Sequence, residues 1–121
     1  MSNNILLSVL IPTKNRSSYA YQAIKQILSI PNKNLQLVIQ DNSDTDVLVK
    51  RIQEFKDDTR LVYNHDKRLL SFVDNFNLGL EQCKGEYISI IGDDDALNPD
   101  IIEVTKWAQI NNIYAITPSL S

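Results

Sequence analysis

The chain has 121 residues, enough for one ordinary domain, and 43% of them are hydrophobic, so a real core can form. A net charge of -3, with both signs spread along the sequence, excludes the basic stripe of a nucleic-acid-coating protein and the basic amphipathic helix of a membrane-surface protein. No apolar run is long enough for a transmembrane segment, Met1-Ser2-Asn3-Asn4 lacks the features of a signal peptide, and the single cysteine, Cys83, excludes an intrachain disulfide and points to the cytosol.

Apolar runs rich in β-branched residues alternate with helical patterns. Ile5 to Ile11 reads as a strand with few polar residues, as expected where helices cover both faces of a parallel sheet. Ser18 is placed to cap a helix whose apolar face is Ala20, Ala23, Ile24, Ile27 and Leu28, and Pro31 stops it. Leu35 to Gln40 is a second strand. A second helix starts at about Asp46, with Leu48, Ile52 and Phe55 inward. Arg60 to Tyr63 is a short third strand. Ser71 caps a third helix with Phe72, Phe76, Leu80 and Cys83 on its apolar side, and Gly85 suits its C-terminal stop. Glu86 to Ile91 is the fourth strand. Asn98-Pro99 opens a fourth helix, and Ile113 to Thr117 reads as a fifth strand. This β-α-β-α series predicts one domain over residues 1–121, an α/β fold with a doubly wound, mostly parallel sheet and helices on both faces.

In such sheets ligands bind outside the carboxyl ends of the strands. The strand-to-helix loops there are the polar ones: 12–17, 41–45, 64–68 and 92–95. Helix capping alone accounts for Ser18, Asp44 and Ser71, because helix N-termini favour Ser, Thr, Asp and Asn. It does not account for Asp93-Asp94-Asp95, because Asn98 already takes the capping position before Pro99. Three adjacent carboxylates repel one another, and a bound Mg²⁺ or Mn²⁺ relieves the conflict by taking carboxylate and phosphate oxygens together. A metal–phosphate role for the triplet is therefore favoured over an Asp-rich turn without a ligand.

At these residues the sequence resembles the family 2 glycosyltransferases of the GT-A fold. Ser8-Val9-Leu10-Ile11-Pro12-Thr13-Lys14-Asn15-Arg16 is similar to the family's opening strand and turn, and Leu37-Val38-Ile39-Gln40-Asp41-Asn42-Ser43 to its second strand. Asp74-Asn75-Phe76-Asn77-Leu78-Gly79-Leu80 resembles its Asn-x-Gly helix segment. Gly85-Glu86-Tyr87-Ile88 running into Gly92-Asp93-Asp94-Asp95 resembles the strand carrying its Asp-x-Asp motif. The resemblance implies strand order 3-2-1-4 and a donor-binding half of a metal-dependent enzyme that transfers sugar from a nucleoside diphosphate sugar to a saccharide or lipid-linked saccharide acceptor. Bacterial surface polysaccharide synthesis, in the cytoplasm or at the inner face of the membrane, is the implied setting. Nucleotide-binding residues would be Pro12, Thr13, Asn15, Arg16, Asp41, Asn42, Asn75, Asn77 and Asp93, with Thr13 and Asn15 lining base and ribose and Asp41 bonding the base. Asp94 would hold the metal, with Asp95 as a supporting or alternative ligand. Two positions depart from the pattern. Asn42 stands where many relatives carry a second acid, leaving uridine, guanosine, cytidine and thymidine diphosphate sugars all open. Phe76 stands where many carry Arg, so a phosphate contact falls to Arg16, Lys67 or Arg68.

The catalytic base and acceptor pocket are expected in a second half that this chain lacks. Asp100 and Glu103 fall in the first turn of the fourth helix, where carboxylates complement the dipole. A missing half would leave Trp107, Ile110 and Tyr114 as uncovered apolar surface favouring self-association. His65 reads as a solvated loop residue and Cys83 as a small core residue. Three rivals carry less support. A receiver-like signalling domain needs an acidic cluster after the first strand, where Pro12-Thr13-Lys14-Asn15 stands. A nucleotidyltransferase needs a glycine-rich loop there. A noncatalytic nucleotide-binding module is separated from an enzyme only by a transfer assay.

Overall fold

The computed structural model describes residues 5–114. Four strands, β1 (Leu7–Thr13), β2 (Leu35–Asp41), β3 (Leu61–His65) and β4 (Tyr87–Ile90), form one sheet in the order β3-β2-β1-β4. Every pairing is parallel, with Leu7 opposite both Leu35 and Tyr87, and Leu37 opposite Leu61. The four helices are α1 (Ser17–Leu28), α2 (Val47–Arg51, continued by a 3-10 turn over Ile52–Phe55), α3 (Phe72–Gln82) and α4 (Asp100–Ile110). The expected strand order and the doubly wound α/β class are both present.

Alternation along the central strands divides the molecule into two layers. Leu7, Val9 and Ile11 of β1 and Leu35, Leu37 and Ile39 of β2 pack against Ala20, Ala23, Ile24 and Ile27 of α1, Leu48 of α2 and Ile102 of α4 in the main core. The opposite face carries Ser8, Leu10, Gln36, Val38 and Gln40, all buried, and α3 lies over it. Polar chemistry replaces apolar packing there. The Ser8 hydroxyl donates to Gln36 Oε1, Gln36 Nε2 donates to the Gln82 carbonyl, and the backbone N–H groups of Lys84 and Gly85 donate to Gln36 Oε1 and Ser8 Oγ. At Gly79 an added Cβ would meet Leu10 Cδ1 at 2.5 Å, so this glycine sets how near α3 sits to the sheet.

Several expectations are corrected. Ser18 does not cap α1; the Arg16 carbonyl accepts from Ala20 N, so the helix already includes Ser17 and no side chain caps it. The inward stripe of α3 is Asn75 and Gly79, while Phe72 is 72% exposed. The stripe is small and polar because α3 lies close to the sheet: Gly79 rests on Leu10 and Asn75 Nδ2 donates to the Gln40 carbonyl. Gly85 does not adopt a left-handed conformation; it is required because a Cβ would stand 2.6 Å from Ser8 N. His65 ends β3 instead of lying in a loop, and its Nε2 donates to the Ser43 carbonyl at 2.9 Å. Ser71 does cap α3, accepting from Asp74 N, and Asn98 Oδ1 accepts from Asp100 N before α4. Of the fifth strand expected at 113–117, Ile113 and Tyr114 have no regular structure and the rest lies outside the described residues.

Candidate functional site

β1 and β4 are neighbours, so their carboxyl ends bring two chemically opposite loops together. Thr13 ends β1, and its hydroxyl donates to Asp93 Oδ2 at 2.8 Å. Asp93 is buried, and its other oxygen lies 3.2 Å from Arg16 Nη1. Arg16 Nη2 reaches Asp94 Oδ2 at 3.5 Å, and its guanidinium lies 4.5 Å from the centre of the Tyr19 ring. One arginine thus faces two of the three acids.

The third acid turns away. Asp95 Oδ2 accepts from Gly92 N at 3.0 Å, and Asp95 N donates to the Gly92 carbonyl, which closes a tight turn. The far end of that loop is held by Gln26 of α1. Its Nε2 donates to the Leu97 carbonyl at 2.9 Å and its Oε1 accepts from Leu97 N at 2.8 Å. A side-chain amide here pairs with the main chain as a neighbouring strand would.

The loops after β1 and β2 are joined by Asn15, whose backbone sits at φ 56. Asparagine tolerates the left-handed region better than most residues. Its backbone N–H donates to Ser43 Oγ, and its side chain exchanges two hydrogen bonds with Asp44. Asp41 is fully buried and accepts from Ser43 N at 2.9 Å and from the Tyr63 hydroxyl at 2.6 Å. Burial, and then the hydrogen bond to Asp41, push the Tyr63 phenol well above its ordinary value, which keeps it a donor. Asn42 donates through Nδ2 to the carbonyls of Asp66 and Arg68, so its carboxamide is locked in one orientation.

These elements enclose a crevice of about 410 Å³ lined by Pro12, Thr13, Lys14, Arg16, Asn42, Leu70, Phe72, Asn75, Ile91, Gly92, Asp93 and Asp94. Seven of the nucleotide- and metal-binding residues expected from sequence meet there: Pro12, Thr13, Arg16, Asn42, Asn75, Asp93 and Asp94. Four do not line it. Asn15 is committed to Asp44, Asp41 is enclosed by Ser43 and Tyr63, and Asp95 folds back on Gly92. Asn77 is exposed, two residues round the helix from the buried Asn75 and therefore on the opposite side. Lys67 pairs with Asp46 and Arg68 with Asp66, so Arg16 is the member of that trio that reaches the crevice. Leu70 and Phe72 form an apolar wall that sequence reasoning missed, because Phe72 fell on the stripe expected to face inward.

Residues 8–115 match the sequence profile of glycosyl transferase family 2. The chain belongs to that family. It is 34% identical over 91% of its length to an uncharacterized glycosyltransferase of Rickettsia conorii. It is 36% identical over 90% of its length to the GalNAc(5)-diNAcBac-PP-undecaprenol beta-1,3-glucosyltransferase of Campylobacter jejuni. The chain spans 18% and 36% of the lengths of these two relatives. Its fold matches the mannosyltransferase PcManGT from Pyrobaculum calidifontis, solved in complex with GDP-Man and Mn2+, with a TM-score of 0.71 at 19% identity over 84% of this chain and 32% of that one.

The crevice offers few ligands to a metal ion. Among the described residues no group of three His, Cys, Asp or Glu is placed to hold an ion. Asp94, half-exposed at the rim, and Asp93 behind it would offer one or two hard oxygen ligands in place of their pairs with Arg16. Mg²⁺-type ions are commonly held by one or two carboxylates together with substrate phosphates. The donor set therefore suits a cation that arrives with a diphosphate.

Proposed function

We propose that this domain binds the nucleoside diphosphate part of a sugar donor in the crevice between β1 and β4, as part of a protein that transfers that sugar to a saccharide or lipid-linked saccharide acceptor. The observation that carries the reading is the convergence of Thr13, Arg16, Asp93 and Asp94 at one sheet end. The locked carboxamide of Asn42, with Asn75 and the Leu70–Phe72 wall, forms the side suited to the base and ribose. Arg16 and Lys14 supply positive charge for the phosphates. Asp94 would hold a Mn²⁺ or Mg²⁺ ion, and the chemistry that ion would supply is neutralisation of charge on the leaving diphosphate. Asp93 fixes the β1 loop through Thr13 and meets the ribose. Asn15 and Asp41 act one layer back, holding the loops that line the crevice.

The acceptor-activating base lies in this reading outside the described residues, in the longer remainder that the relatives possess. Asp100 and Glu103 are exposed in the first turn of α4 and do not line the crevice. Among the described residues no helix is long and apolar enough to cross a membrane.

The test is a panel of nucleoside diphosphates titrated into the chain with Mn²⁺ and with chelator. Affinity is expected to rise with Mn²⁺, and Asp94→Asn is expected to weaken the metal-dependent part by roughly 1–3 kcal/mol, the scale of a lost charge-assisted contact. Equal affinities in Mn²⁺ and chelator, for wild type and variant alike, would refute the assignment.

A further inference from the structure

Resting on the donor-site reading above, we infer that Arg16 is a resident counter-ion: it occupies the two acids while the crevice is empty and transfers to the diphosphate when nucleotide and metal enter. The guanidinium spans both carboxylates, with Nη1 3.2 Å from Asp93 Oδ1 and Nη2 3.5 Å from Asp94 Oδ2. The other Asp93 oxygen is taken by the Thr13 hydroxyl. Both crevice acids are thus already partnered. A divalent cation on Asp94 would stand within a few ångströms of the guanidinium, and like charges so close repel. The metal and Arg16 compete for the same carboxylate.

Arg16 is free to leave. Its side chain is 45% exposed, it precedes α1 in a loop, and it rests on the Tyr19 ring, a contact that leaves all five N–H donors available. A diphosphate offers the guanidinium a forked acceptor in exchange for the acids. Lys67 and Arg68 do not compete for that role, because Asp46 and Asp66 hold them away from the crevice. Metal alone leaves the Arg16 guanidinium without its acid, and nucleotide alone leaves the two acids without a cation beside a second anion. The two ligands together satisfy all parties. The exchange therefore makes each ligand raise the affinity of the other, by the same factor in both directions.

Mn²⁺ binding to the chain without nucleotide, read by electron paramagnetic resonance of the free ion, separates this device from a simple surface ion pair. Arg16→Gln is expected to bind Mn²⁺ alone roughly two- to fivefold more tightly than wild type, the effect of releasing a half-exposed pair. Asp94→Asn added to it should abolish the gain. Arg16→Lys should fall between, since an ammonium cannot bridge both acids, and it decides the question if the glutamine variant fails to fold. The increase in UDP or GDP affinity on adding Mn²⁺ should shrink in Arg16→Gln. Mn²⁺ affinity in Arg16→Gln equal to or below that of wild type overturns the exchange, even where nucleotides bind with full metal dependence. Nucleotide binding that ignores Mn²⁺ in every variant overturns the donor-site reading instead, while the Mn²⁺-only titration still decides the role of Arg16.

Discussion

At the scale of single residues, the most demanding position is Asp41. It is a fully buried carboxylate that relies on Tyr63 and the Ser43 backbone for its hydrogen bonds. Tyr63→Phe leaves one oxygen unpaired, and a loss of roughly 1–3 kcal/mol in unfolding free energy is expected, measured by urea denaturation at neutral pH. The pH dependence has a definite sign. The folded-state phenol titrates above its unfolded value, so its contribution is complete below about pH 10 and is lost as pH rises beyond it. Wild type should therefore lose stability between pH 9 and 11 more steeply than Tyr63→Phe, and parallel curves would show the phenol to be unlinked to folding. Legibility at this scale was uneven. Loop position singled out the polar turns after the strands and the Asp93–Asp95 run, and the resemblance named Thr13, Arg16 and Asn42 within them; the structure brings Thr13, Arg16, Asn42, Asp93 and Asp94 to one crevice. Residue type alone did not say which of three consecutive aspartates faces the crevice; the resemblance put Asp93 and Asp94 ahead of Asp95, and the Gly92–Asp95 turn is what separates them. The direction of Asp41 was not legible either, because its partner Tyr63 comes from the next strand.

Elements were read well where burial is apolar and poorly where it is not. The α1 stripe of Ala20, Ala23, Ile24 and Ile27 is buried as its spacing predicts. For α3 the spacing of Phe72, Phe76, Leu80 and Cys83 suggested an inward face, and the helix instead buries Asn75 and Gly79. The deciding residues are Ser8, Gln36 and Gln40 on the strands beneath, which favour close approach and hydrogen bonding over bulk. Gly85 belongs to the same junction. Its absent side chain lets the α3–β4 connection press on the β1 backbone, with Ser8 N and the Leu7 carbonyl carbon 2.6 and 2.9 Å from where a Cβ would stand. Those are main-chain atoms of a central strand and cannot yield. Gly85→Ala is expected to destabilise by about 2–3 kcal/mol, within the range for overpacking. A neutral result in thermal unfolding would mean that the connection can shift away from β1.

At the scale of the whole molecule, the described residues leave apolar surface uncovered on α4 and β4, as well as at Leu69, Phe72 and Val73 around the start of α3. On α4, Val104, Trp107 and Ile110 recur at helical spacing and are exposed, Ile110 at 78%, with Tyr114 beyond them. On β4, Ile88 and Ile90 are about half exposed on the face that α3 covers elsewhere. The α4 patch matches the sequence expectation, whereas the β4 patch was missed because a strand flanked by helices reads as buried on both sides. Concentration-dependent self-association of the chain is expected in sedimentation velocity. The double substitution Trp107→Glu and Ile110→Lys should reduce it while changing stability by no more than about 0.5 kcal/mol per site, as for other surface changes. Unaltered association would move the contact to β4. The Gln26 clasp on Leu97 has a mechanical consequence for the acids between these surfaces. The segment that carries them is fixed at one end where Ile91 N donates to the Leu10 carbonyl, and at the other where Gln26 grips Leu97 from both sides. It behaves as a short span between two abutments, one set in the sheet and the other in α1. Movement of the acid-bearing loop itself is expected to be confined to residues 92–96, and so few freed residues leave little conformational entropy to lose when the loop is ordered. Gln26, 71 positions before the Leu97 it grips, thus limits how far Asp94 can travel.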